Sequence, residues 1–302
     1  MLSLSGNAIG TIFAVLAAAS FGANRACLSR PLFFIGARAA NYITAITGAV
    51  VAFLVVIFSQ QFGDLLSIPF SAIEVFIVVG VLNFGISRVL SYLSVRNIGA
   101  NQASVLSLTQ VLFAFLFAVV FIGETLTPLV ALGGVLVILG AMVIEIRTSA
   151  KLRKGSVKIG LAAIILASLV RGLTPVLIKY GLSGYPYAVS GTFVSYLGAL
   201  IFNLSLVRPS SVASETKKTN WKLFASLVFG GIFVLAAQLL RFSALSLSPV
   251  VLVAPLTALE PIFTVTFTRF TARELEVFRL RTILGIATMV LGGVLVSYAA
   301  GG

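Results

Sequence analysis

The residues of this chain best suited to chemistry are three ionisable side chains set within apolar runs: Arg88, Arg171 and Glu260. A charge in hydrocarbon is costly, so such residues face a polar interior, pair with one another or serve a site. Glu260 is followed by Pro261, whose missing N–H opens a helix locally. A carboxylate there can bind an ammonium group, pair with an internal arginine or carry a proton; it can equally satisfy backbone groups that the proline frees. Arg171 precedes Gly172, Thr174 and Pro175, a run of breakers of the kind found where membrane helices unwind around a site. Its guanidinium can grip a carboxylate with two parallel bonds. It can also lock against Glu260, which is the first partner expected for it, or snorkel to a headgroup. Arg88 stands eight residues before Arg96, so snorkelling competes with binding there too.

Advanced by 150 positions, Arg88 falls on Gln238 and Gln110 falls on Glu260. Two symmetry-related polar pairs predict a shared cavity, to which Asn83, Tyr92 and Asn24 are expected to contribute. Polar contacts between helices are also an ordinary packing device. The chain has no histidine and a single cysteine, Cys27, which removes histidine acid–base chemistry, His-ligated metals, cysteine clusters and an internal disulfide. It shows no phosphate loop and no catalytic triad. No enzyme activity, cofactor or metal is expected.

These side chains need elements to hold them. Of 302 residues, 59% are hydrophobic and 10% charged, with a mean hydropathy of +1.14. Soluble domains carry about 25% charged residues, so the solvent for most of this chain is lipid. A crossing helix needs roughly 20 apolar residues. Ten stretches qualify, at about 6–25, 39–58, 74–94, 101–122, 128–146, 158–179, 186–207, 222–243, 249–268 and 281–300. They lack the alternation of barrel strands, and open sheets cannot satisfy their backbone in hydrocarbon. The first stretch lacks a basic leader or a cleavage signal and is read as a retained span.

The 150-residue shift aligns more than polar pairs. Gly10 meets Gly160, Gly22 meets Gly172, Gly48-Ala49 meets Gly198-Ala199, Phe113 meets Phe263, and Glu124 meets Glu274. Beyond that hairpin the offset becomes 152, with Gly133 and Gly140 meeting Gly285 and Gly292. The predicted organisation is an all-α membrane protein of ten transmembrane helices in two five-helix repeats, 1–148 and 158–302, joined by a basic connector at 149–157. An odd number of spans inverts the second copy relative to the first. Of the 21 Lys and Arg residues, 17 are assigned to loops following odd-numbered spans, Lys179 and Arg241 to the other face, and Arg88 and Arg171 to spans. The positive-inside rule puts the basic loops in the cytoplasm and both termini outside. The net charge of +13 thus reads as topology rather than a nucleic-acid surface. The glycine pairs, with Gly230-Gly231, are expected at helix contacts, Glu124 and Glu274 as loop caps, and Trp221 as an interfacial anchor.

Two segments carry a resemblance. In Ala103–Gly140 and Val250–Gly292, a span with a mid-helix proline and aromatic, the proline being replaced by Val111 in the first, leads to a hairpin with glutamate, then to a span bounded by glycines. The second reads Glu260-Pro261-Ile262-Phe263, Glu274, Gly285, Gly292; the first reads Gln110-Val111-Leu112-Phe113, Glu124, Gly133, Gly140. This pattern resembles the EamA family of the drug/metabolite transporter superfamily. The resemblance implies a secondary transporter of small metabolites, amino acids or related amphipathic compounds among them, often working outward in a prokaryotic inner membrane. Alternating access between the repeats is the expected mechanism, with protons as a candidate coupling ion and the chain acting as monomer or homodimer. The alternatives are a lipid-carrier flippase or a membrane-embedded enzyme, the latter disfavoured by the missing histidine and the scarcity of acids.

Overall fold

The computed structural model describes residues 6–59, 62–98, 100–145, 157–185, 187–206, 212, 216, 220–271 and 280–301. All regular structure among them is helical. In the first repeat, α1 (Gly6–Leu28), α2 (Ala37–Phe58) and the short α3 (Phe62–Leu66) lead to α4 (Phe70–Gly80) and α5 (Ser87–Ile98). Then come α6 (Ala100–Ser107), α7 (Gln110–Ile122) and α8 (Pro128–Glu145). The second repeat has α9 (Val157–Gly184), α10 (Ala188–Leu206), α11 (Trp221–Leu247), α12 (Val250–Thr257), α13 (Glu260–Thr271) and α14 (Leu280–Gly301). Nine helical stretches among the described residues are long and apolar enough to cross a membrane. The tenth expected span is shorter, its apolar part running Pro128–Ile144, about 25 Å at 1.5 Å per residue.

Large apolar side chains face outward: Phe58, Tyr298 and Phe121 are 81%, 77% and 63% exposed. Small ones line the contacts, as expected where lipid removes any hydrophobic reward for hiding leucine. A Cβ on Gly22 would sit 2.6 Å from the Phe263 Cβ and 2.7 Å from the Thr264 nitrogen. One on Gly172 would sit 2.5 Å from the Phe113 Cβ and 2.9 Å from the Ala114 nitrogen. The second contact is the first moved by 150 residues. Along α8 and α14, Gly133 faces Gly292 and Gly140 faces Gly285, a set that maps onto itself under the 152 shift. Between these helices the structure therefore has a pseudo-two-fold relation, and its contacts require glycine.

The fourth span of each repeat is broken. α6 stops at Ser107 and α7 starts at Gln110; α12 stops at Thr257 and α13 starts at Glu260. At the joints the Val111 and Ile262 amides bond three residues back, to Leu108 and Leu259, at 3.1 and 3.0 Å. Pro261 was expected to cause this opening. The first copy breaks at the same place with Val111, and Pro261 occupies a first helical turn, where its missing donor would go unused anyway. Conversely, α9 runs unbroken through Gly172, Thr174 and Pro175, where unwinding was expected. Pro175 still withholds the donor owed to the Arg171 carbonyl, and the Thr174 hydroxyl bonds back to the Val170 carbonyl at 2.9 Å.

Candidate functional site

The breaks and the crossing of the repeats surround one cavity of about 240 Å³. Asn24, Asn83, Arg88, Gln110, Arg171, Gln238 and Glu260 all line it. The eighth expected residue, Tyr92, has a side chain outside the described residues. Five pairs of lining residues are related by the 150 shift: Phe21 with Arg171, Phe84 with Val234, Arg88 with Gln238, Ser91 with Arg241, and Gln110 with Glu260. The cavity thus straddles the pseudo-two-fold. In four of these pairs one copy is charged and the other is not.

Each side chain is set by its element. Between α4 and α5, residues Val81–Ile86 wind as a π-turn, a local widening frequent at functional positions. It carries Asn83 and Phe84 to the cavity. Arg88 follows, its guanidinium carbon 5.2 Å from the Phe84 ring centre and its Nη1 donating to the Asn41 Oδ1. Asn41 in turn donates to the Asn203 Oδ1 at 2.8 Å and to the Phe84 carbonyl at 3.2 Å. From α9, Arg171 donates to the Ser91 hydroxyl at 2.9 Å and to that of Ser87 at 3.5 Å, joining the repeats. Asn24 donates to the Gly230 carbonyl at 2.8 Å and so serves packing as well.

For Glu260, whose first expected partner was Arg171, the structure shows another contact. It pairs with Arg25 near the end of α1, the carboxylate side chain 19% exposed and the guanidinium 44%. Arg25 had been assigned to a loop; α1 extends to Leu28 and keeps it on the helix. Arg241 had likewise been assigned to the opposite loop face, yet α11 runs on to Leu247 and turns it into the cavity. Both sit within a turn or two of a helix end, where composition alone reads a loop. The Arg241 Nε and Nη2, the Asn83 Nδ2 and the Gln238 Oε1 are buried without a hydrogen-bond partner among the described residues. Gln238 is only 3% exposed.

Glu124 lies away from the cavity. α7 ends at Gly123, which adopts φ +65°, and the turn delivers Glu124 to the start of α12. Its Oε1 and Oε2 accept from the Val250 and Val251 amides at 2.8 and 2.9 Å. It is a helix cap, as expected in kind, but it caps a helix of the other repeat. The Lys179 Nζ donates to the Ser248 carbonyl beside it at 2.8 Å. Glu274, its counterpart, lies outside the described residues. The cavity-lining residues of α1 begin at Phe21 and reach Leu28, its last residue. The space therefore extends toward the basic-loop face, away from the Glu124 cap.

A solved structure described as a crystal structure of a protein shares the fold at a TM-score of 0.73, with 15% identity over 95% of this chain and 97% of that one. No curated protein matches the sequence. The profile of the EamA-like transporter family matches twice, at residues 8–146 and again at 158–298. These two stretches are the two repeats. The chain belongs to the EamA-like transporter family.

Proposed function

We propose that this membrane transporter moves a small polar metabolite by alternating access, with the cavity between the repeats as its site and Arg88, Arg171, Gln110, Gln238, Asn83, Asn24 and Glu260 as its binding or coupling groups. One observation carries the reading: the cavity lies where the pseudo-two-fold places equivalent positions of both copies, so rocking one repeat against the other can expose it to either side. Its volume of about 240 Å³ gives room to a small metabolite. With the basic loops cytoplasmic, the space reaches the cytoplasmic side and the Glu124 cap closes the outer one. Cargo then loads from within, which supports export.

The test is a metabolite profile of the medium from cells overproducing the chain, compared with a variant carrying Arg171→Ala and Glu260→Gln at equal membrane levels. At least one small metabolite should accumulate outside with the native chain and fall at least five-fold with the variant. Identical profiles would sink the reading.

A further inference from the structure

We infer that the cargo is a small organic anion, one bearing carboxylate or phosphate, bound by the Arg88 and Arg241 guanidiniums. This rests on the transport reading and adds the cargo's charge. The cavity is lined by four guanidiniums, Arg25, Arg88, Arg171 and Arg241, against one carboxylate, Glu260. Glu260 is engaged by Arg25, so the acid in the lining already has a counter-charge. The contacts of Arg88 are neutral and aromatic, an amide oxygen and a ring face.

The lining thus carries an excess of positive charge, which favours an anion over a cation or a neutral solute. Among the described residues no second acid lines the cavity. Two buried nitrogens of Arg241 and the Asn83 Nδ2 point to the same lack of acceptors. The buried Gln238 Oε1 asks for the reverse, a donor. An oxyanion that also carries a hydroxyl meets both requirements, and guanidiniums are the side chains suited to grip its paired oxygens.

The experiment uses the full chain in liposomes loaded with equal concentrations of malate, succinate, glycerol 3-phosphate, 3-phosphoglycerate, alanine, putrescine and xylitol. Efflux is followed by mass spectrometry against protein-free vesicles. One or more of the four anions should leave at least ten-fold faster than from empty vesicles. Arg241→Gln should cut that efflux at least ten-fold, and Arg241→Lys, which keeps the charge, should retain more than the Gln variant. Loss of alanine, putrescine or xylitol with the anions retained would overturn the inference and leave the transport reading standing. No protein-dependent loss of any compound would overturn the inference and leave the transport reading to the medium profile described above. Two other sources of negative charge are separated in the same samples. Chloride efflux without organic anion efflux, or a phospholipid that co-purifies with the native chain but not with Arg241→Gln while no organic anion moves, would also overturn it.

Discussion

Arg88 leaves the π-turned segment with freedom to point several ways, and Asn41 decides which. The amide oxygen of Asn41 receives the guanidinium while its nitrogen is tied to Asn203 and the Phe84 carbonyl. Replacing Asn41 by leucine leaves a buried carbonyl and amide unmet, at a cost of about 1–3 kcal/mol each, and mixes aim with stability. Arg88→Gln separates them. It leaves the Asn41 nitrogen bonded to Asn203 and the Phe84 carbonyl and removes the charge. Membrane-inserted yield should stay near native while anion efflux falls at least five-fold. Unchanged efflux would remove Arg88 from the binding role. Asn41 was not singled out from sequence, because asparagine in a span reads as a packing residue until its neighbour is known. Arg25 and Arg241 were hidden differently, each near the end of its apolar run and so counted with the loop beyond it, although the helix continues past it.

At the scale of elements, the repeat and its helix contacts were legible because glycine at fixed spacing has few uses other than close approach. The break in the first copy was not, since Val111 carries no breaking signal and the joint shows only in the three-back hydrogen bonds. The α8–α14 contact makes a sharp prediction. A Cβ at Gly140 would lie 2.6 Å from the Gly285 carbonyl oxygen, and one at Gly285 would lie 2.7 Å from that of Gly140. Both obstacles are backbone, so Gly140→Ala should lower the thermal midpoint of the purified protein. Overpacking of this kind costs roughly 1–3 kcal/mol. Gly63, with nothing within 4 Å of an added Cβ, is the control, and Gly63→Ala should leave the midpoint alone. The Glu124 cap belongs to the same scale. Glu124→Gln weakens two charge-assisted bonds between repeats. A cysteine at Val234, in a background of Cys27→Ser, should then become more reactive to a membrane-impermeant thiol reagent added from the outer face. Equal labelling with and without the cap would show that it does not hold that side shut.

At the scale of the whole molecule, the charge of the cargo determines what drives it. A coupling proton was one of the roles open to Glu260, but its contact with Arg25 would have to be displaced for it to carry one. An anion leaving a cell that is negative inside needs no such device. Moving one elementary charge through 100 mV is worth about 2.3 kcal/mol, enough for roughly a 45-fold concentration ratio at 1.4 kcal/mol per decade. In liposomes loaded with the anion identified above, a potassium diffusion potential negative inside should speed efflux through the native chain, and reversing the potential should slow it. A pH gradient at clamped zero potential should change the rate little, and Glu260→Gln should leave the voltage response intact. If the pH gradient alone drives efflux, and Glu260→Gln abolishes that response, the proton is the coupling ion and the voltage argument fails.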